Sequence, residues 1–177
     1  DRLAELLRNL AAANPAAIGL DLWRDIPVPK NGTNLAQFNE VLLTHSNIVA
    51  IFTLGTRSNS SGVATRPIPA PEIVKGNPDR TAFNDNFPVD YDVDNTIPKV
   101  RRSLLFEQNA AGETFDALPF RLAALCLEPK GIRPEPVPDD PNAFRLGKSR
   151  LRPFRSNDGA YVGADAGGFQ ILLDFKC

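Results

Sequence analysis

The sequence has no methionine, one histidine, one tryptophan and two cysteines among 177 residues. So few histidines and cysteines exclude a metal centre built from clusters of those ligands. They also leave His45 as the single base available to a Ser/His/Asp triad. His45 stands at the end of a predicted helix, where an imidazole usually caps carbonyls or faces water. The nucleophile-elbow pattern Gly-x-Ser-x-Gly is absent. Charge of one sign is lacking too: 20 Lys and Arg against 21 Asp and Glu give a formal net charge of -1. A nucleic-acid binder ordinarily shows a basic surplus, so that class is set aside. No apolar run approaches the roughly 20 residues needed to span a bilayer. The longest are "IVAIF" at 48–52 and "AALCL" at 123–127. No secretory leader opens the chain, which starts at Asp1 and reads as a piece of a longer protein whose membrane segments would lie outside it.

What is present suits a folded module. A chain of 177 residues, 42% apolar and 23% charged, can bury a real core as one domain. Sixteen prolines and twelve glycines imply many ordered connections, because apolar segments separate them throughout. "DRLAELLRNLAAANP" predicts a helix. Leu3, Leu6, Leu7 and Leu10 recur at helical spacing, Asp1 is a candidate N-cap, and Asn14-Pro15 is a stop. "AAIGLDLW" reads as a strand covered on both faces. A second helix is expected at "LAQFNEVLLTH" and a second buried strand at "SNIVAIFTL". This helix–strand alternation is the signature of parallel strands with helical crossovers.

A long Gly/Ser/Pro loop runs from Gly55 to Pro71, followed by a short strand, an acidic loop and a strand from about Lys99 to Glu107. "ETFDALPFRLAALCLE" predicts a third helix with Pro119 near its first turn, where proline is tolerated. Cys126 falls on the apolar face of that helix and is expected to be a buried thiol. Cys177 ends the chain, and spacing alone assigns no disulfide. "PKGIRPEPVPDDPN" reads as a rigid connector, and "AFRLGKSRLRPF" as a hairpin around Gly147-Lys148. The expected fold class is therefore α/β. A single layered domain would carry a mixed, mostly parallel sheet flanked by helices.

Several stretches invite a chemical reading. "GADAGG" at 163–168 lacks the lysine and Ser/Thr of a phosphate loop, and a strand follows it instead of a helix. Its glycines are expected to shape a turn that feeds the last strand, "FQILLDF", in register. Asp90, Asp92 and Asp94 alternate like the start of a calcium loop. Asn95 then stands where glycine belongs and Arg101 where the bidentate glutamate belongs, so carboxylate–guanidinium pairing with Arg101 and Arg102 is expected instead. Asp21 lies inside an apolar run. It needs a partner if buried, with Arg24 and Arg101 as candidates, or it marks a polar site at the carboxyl end of a parallel strand.

Three segments, "LAAANPAAIGLDLWRDIPV", "FNDNFPVDYDVDNTIPKVRRSLLF" and "LRPFRSNDGAYVGADAGGFQILLDFK", together resemble the CHASE type 2 domain, the cyclase/histidine-kinase-associated sensory extracellular domain. The resemblance runs from about Leu3 to Lys176. It implies an extracytoplasmic sensor of a bacterial, cyanobacterial-like receptor, tethered at the periplasmic face of the inner membrane. Transmembrane helices and a cytoplasmic output domain of the same chain would be its partners, together with a small-molecule or peptide signal and a second copy in a homodimer. It implies no cofactor, no metal and no catalysis. The motif positions that carry over as ligand-binding candidates are Asp21, Arg24, Asn84, Asp85, Arg101, Asn157, Asp158 and Tyr161. Members usually carry a further strand at each end, which this sequence lacks. Two rival readings follow from the residues: a hydrolase using a carboxylate pair such as Asp21 with Asp85, and a structural adaptor that pairs through open strand edges.

Overall fold

A computed structural model describes residues 2–26, 32–55, 66–84, 90–91, 98–109 and 111–174. The chain forms two compact units: residues 1–86 with 118–126, and 87–117 with 127–177.

The first unit is built on strand hydrophobicity. Helix α1 (Arg2–Ala12) leads to β1 (Ile18–Leu20), α2 (Leu35–Thr44) to β2 (Ile48–Phe52), and β3 (Thr81–Phe83) completes a parallel sheet in the order β1-β2-β3. Central β2 is buried from Ile48 to Ile51 because both its faces are covered. Side chains alternate along a strand. Ile48 and Ala50 accordingly pack with Leu7, Phe38, Val41 and Leu42 of α1 and α2. Val49 and Ile51 pack with Leu118, Leu122 and Leu125 of the later helix α3 (Leu118–Leu127). Each such side chain taken fully out of water contributes about 1.5–3 kcal/mol. Helix α1 stops as its sequence predicts: Asn14 takes a left-handed φ of 52°, and Pro15 cannot continue the turn.

The second unit is antiparallel. Strands β4 (Asp90–Tyr91) and β5 (Pro98–Lys99) pair with each other. Next, β6 (Arg102–Gln108) sits centrally between β7 (Thr114–Asp116) and the final strand β11 (Phe169–Leu172). A 3-10 turn, Glu128–Lys130, precedes a meander of β8 (Pro134–Val137), β9 (Asp140–Leu146) and β10 (Ser149–Leu151). The rings of Phe106, Phe144 and Phe169 meet with centroids 4.6–5.9 Å apart.

Mixed helices and sheets agree with the expected α/β class, but a mostly parallel sheet does not: among the described residues one sheet is parallel and the other three are antiparallel. Other expectations are corrected as well. Strand β1 ends at Leu20, so Asp21, Leu22 and Trp23 are exposed instead of forming a buried strand. Residues 114–116 pair with β6 and do not start the third helix. The proline-rich connector contains β8, an edge strand in which proline costs little ladder bonding. The face that α1 buries is Ala4 and Leu7, while Leu6 and Leu10 face outward. Cys126 is exposed because α3 turns Leu118, Leu122 and Leu125 to the sheet. Asp1 and Cys177 lie outside the described residues.

The glycine-rich segment does feed β11, but not in unbroken register: Phe169 pairs with Phe106 and Gln170 with Leu104, a bulge at the start of the strand. Gly168 has φ +67°, and a Cβ there would stand 2.6 Å from Leu104 Cδ1 and 3.0 Å from the Phe106 carbonyl oxygen. Gly163 has a similar φ of +65° with open space around it. Gly163→Ala therefore meets only the left-handed backbone penalty, about 1 kcal/mol. Gly168→Ala meets that penalty plus a clash with backbone and should cost about 3 kcal/mol. Urea denaturation of the two variants measures the difference, and equal losses would remove the packing argument.

Candidate functional site

Two polar clusters stand out, one in each unit. In the first unit, parallel pairing brings the carboxyl ends of all three strands to one edge of the sheet, where α/β folds place ligands. Asp21 follows β1 and Asn84 follows β3. Asn84 Nδ2 donates to Asp21 Oδ1 at 2.8 Å. These two strands are not neighbours, so the bond arches over the end of β2, a span of about 10 Å at ordinary strand spacing. Beneath it β2 is closed off. Buried Thr53 donates its N–H to the Ile68 carbonyl at 2.8 Å and its Oγ1 accepts the Ile68 N–H at 2.7 Å.

Arg24 lies three residues beyond Asp21 and is half-buried. Its Nε is shielded from water and, among the described residues, has no hydrogen-bond acceptor. Asp21 thus has an amide partner, and neither of the arginines expected for it is bonded to it. Around them the segment exposes large apolar side chains: Leu22, Ile26 and Trp23, the last 59% exposed. Asp85 lies outside the described residues.

The opposite edge of that sheet differs. An open depression of 490 Å³ lies where α1 and α2 end, with Asn14, Pro15, His45 and Asn47 among its walls. Asn47 among them serves the fold, as does Arg80, which bonds to His45 and whose Nε is buried without a hydrogen-bond partner among the described residues. Asn47 Nδ2 donates to the Pro15 carbonyl at 2.8 Å, and Arg80 Nη2 donates to the carbonyls of His45 and Ile48 at 2.9 and 3.4 Å. Burial lowers the Arg80 pKa from its ordinary value. His45 is the C-cap of α2, as its position predicts.

In the second unit Arg102, 4% exposed, opens β6 and is almost wholly partnered. Its Nη2 donates to Asp90 Oδ1 at 2.6 Å and its Nε to Asp90 Oδ2 at 3.3 Å. Nη1 donates to Gln170 Oε1 at 2.8 Å and to the Asp165 carbonyl. The guanidinium carbon lies 4.9 Å from the Phe154 ring centre and 5.2 Å from that of Tyr161, close enough for cation–π attraction. Tyr161 completes the cluster by donating its hydroxyl to Asp90 Oδ2 at 2.6 Å. Burial raises the Asp90 pKa, but the hydrogen bonds from Arg102 and Tyr161 outweigh it and hold the carboxyl below its ordinary value. The Tyr161 phenol is pushed up, by burial and then by its bond to that carboxylate.

The acidic–guanidinium pairing expected from sequence is therefore present, with Arg102 as the partner, buried instead of partly exposed. Arg101 is exposed beside it and depresses Asp90 at longer range. Asp92 and Asp94 lie outside the described residues. Asn157 and Asp158 lie in the loop that carries Tyr161, and each has one oxygen occupied within it. Asn157 Oδ1 accepts the Gly163 N–H, and Asp158 Oδ2 the Arg155 N–H, both at 2.9 Å. Sequence reasoning missed Gln170 and Phe154. A glutamine inside "FQILLDF" was the available signal, since a buried amide needs partners.

A family model, CHASE2 domain, matches residues 1–176. The chain belongs to this family of sensory extracellular domains. No curated protein matches the chain. No solved structure matches it. Among the described residues no helix is long and apolar enough to cross a membrane.

Removing one member of a buried ion pair leaves an uncompensated charge, at a cost of about 3–5 kcal/mol. Asp90→Asn and Arg102→Met should each lose that much in chemical denaturation, and the double change Asp90→Leu/Arg102→Met should recover most of it. Tyr161→Phe keeps the ring over Arg102 and loses one bond to a carboxylate, about 1.5–3 kcal/mol. Because the folded Asp90 pKa is depressed, its contribution is complete above the unfolded value of about 3.9 and is lost as pH falls through the folded value. Asp90→Asn should accordingly flatten the acid limb of the stability curve. An unchanged acid limb would assign acid sensitivity to other carboxylates.

Proposed function

We propose that this chain is the ligand-binding part of a bacterial transmembrane receptor. It would stand at the periplasmic face of the inner membrane and pass a conformational shift through membrane helices to a cytoplasmic output domain. Family membership supports the sensory, extracellular side of this reading. The observation that carries ligand binding is the open edge of the parallel sheet. There Arg24 has a buried Nε without an acceptor among the described residues, and Asp21 and Asn84 meet over the end of β2. A buried donor in that condition is expensive in a fold, and a bound partner would satisfy it. The signal is a small molecule or peptide, and the receptor works as a homodimer, as two-state signalling across a membrane favours.

The bond that Asp21 makes is to an amide, which neither takes nor gives a proton near neutral pH. That chemistry positions a ligand and does not supply the acid–base pair a hydrolase needs.

The test is calorimetry and thermal shift of the 177-residue chain against metabolites, amino acids, peptides and metal ions, with each hit recovered for mass analysis. The expected result is saturable binding that raises Tm, with the ligand recovered unchanged; a ligand at 100 times Kd stabilises by about 2.7 kcal/mol. Conversion of a hit to product, abolished by Asp21→Asn at unmoved Tm, would make the chain an enzyme.

A further inference from the structure

The open depression at the amino edge of the parallel sheet, 490 Å³ where α1 and α2 end, has a balance of donors and acceptors that selects a ligand. Its volume lies in the range of small-molecule sites. Among the described residues its walls carry no Lys, Arg, Asp or Glu. Several of its donors are already committed. Thr44 Oγ1 donates to the Glu40 carbonyl at 2.8 Å, so this hydroxyl offers a ligand its lone pairs. Asn47 Nδ2 donates to the Pro15 carbonyl at 2.8 Å, which fixes the amide and leaves Oδ1 to accept. The backbone N–H groups of Asn14 and His45 close the ends of the two helices, on the Ala11 and Val41 carbonyls at 2.9 and 3.1 Å. Pro15 has no N–H to give. Ser46 and the Asn14 side chain can each accept or donate. Charge points the same way. The last carbonyls of a helix carry partial negative charge. Two such ends meet here, and neither helix has a basic residue in its last turn. The end of α2 already draws a cation, the Arg80 guanidinium on the carbonyls of His45 and Ile48. Among the described residues no cation bonds to the last turn of α1.

We propose that this depression binds the primary ammonium group of a small organic amine. It is a second site, at the opposite edge of the sheet from Asp21 and Asn84, and does not depend on them. The N–H donors of an ammonium, spread around a positive centre, match the acceptors of Thr44, Asn47 and Ser46 and the carbonyl end of α1. A carboxylate or phosphate would meet two negative helix ends and no cation in the wall. A quaternary ammonium carries the charge but has no N–H for the acceptors. A bare divalent ion asks for carboxylate oxygens that the wall lacks. The bonds that commit Thr44 and Asn47 are made within the protein, so their acceptors are set before a ligand arrives, which lowers the ordering cost of binding.

The test follows proton–nitrogen NMR spectra of the purified 177-residue chain at fixed pH and ionic strength. The probes are ethanolamine, putrescine and spermidine, with choline as charge without N–H, and acetate and phosphate as the opposite charge. At least one primary amine should give saturable shifts confined to residues 11–16 and 44–47. Choline should bind about tenfold more weakly, for want of charge-assisted hydrogen bonds, and the anions should shift nothing there. Ser46 and Ala16 line the depression and are exposed, so either can take a charge without opening the core. Ser46→Asp should tighten the amine about threefold and Ser46→Lys weaken it about threefold, the size of an exposed charge pair. A merely structural role does not move affinity in opposite directions with the sign of the charge. Ala16→Asp and Ala16→Lys replace that pair if either Ser46 variant lowers Tm. The assignment is overturned if no amine shifts these residues, if choline or an anion binds as well, or if both charges move affinity the same way. Saturable shifts around Asp21 and Asn84 instead would also overturn it, while supporting the ligand-binding edge proposed above.

Discussion

One guanidinium organises the antiparallel unit. Arg102 opens the central strand β6, is removed from water, and gathers Asp90 of β4, Gln170 of β11 and the Asp165 carbonyl of the glycine-rich loop. Taking that charge out of water costs several kcal/mol, and only near-complete hydrogen bonding offsets it. The constraint reaches into the surrounding sequence. Tyr161 must lie where its hydroxyl meets Asp90, and Gln170 must face inward on a strand that otherwise buries Phe169. Gly168 must bring the loop against Leu104 and Phe106 without a side chain. Gln170 in turn donates to the Gly167 carbonyl at 2.7 Å, so the loop is fixed at both its exit and its Tyr161 arm.

What the sequence made legible follows from which forces act locally. The 3.6-residue period found α1 and α2, and an unbroken apolar run found β2, because burial on one stripe or two faces writes itself into the residue pattern. Asn14-Pro15 and Gly147-Lys148 were readable for the same reason: backbone sterics there depend on one or two residues. The errors fall where tertiary partners decide. "ETFD" has no strong strand preference of its own and becomes β7 only because β6 is there to pair with. The leucines of α1 are equivalent by spacing, and only the sheet selects Leu7 over Leu6 and Leu10 for burial. Parallel and antiparallel pairing likewise depend on which strands meet, which is why an extension of the early βα pattern to the whole chain fails.

The candidate sites divide in the same way. Asp21 was noticed because a carboxylate beside an apolar strand is costly, and the sequence alone offered a buried pair or a strand-end site. Strand β1 stops one residue earlier, so Asp21 is exposed at the strand end instead of buried in an ion pair. Its actual partner, Asn84, is 63 residues away and is named only once β1 and β3 flank β2. Asn157 and Asp158 have local partners instead. Their side chains are ideal for ligand contact and equally ideal for bonding backbone N–H groups two to six residues off, and the loop uses them for the latter.

Arg24 and Arg102 differ in their partners, not in their type. Arg102 has an ionised acceptor, two neutral ones and two aromatic faces, so a ligand could engage it only by displacing bonds already made. Arg24 has none of these among the described residues, and its Nε is shielded from water. A sensor can transmit only the difference in its affinity for two states. A group already saturated in the unliganded state contributes little to that difference, whereas an unsaturated one contributes its whole interaction if the ligand-bound arrangement alone satisfies it. The same reasoning makes the Asp21–Asn84 bond the informative neighbour. It ties the ends of β1 and β3 together across β2, so any ligand that pulls on Asp21 or Asn84 acts on both outer strands of the parallel sheet at once.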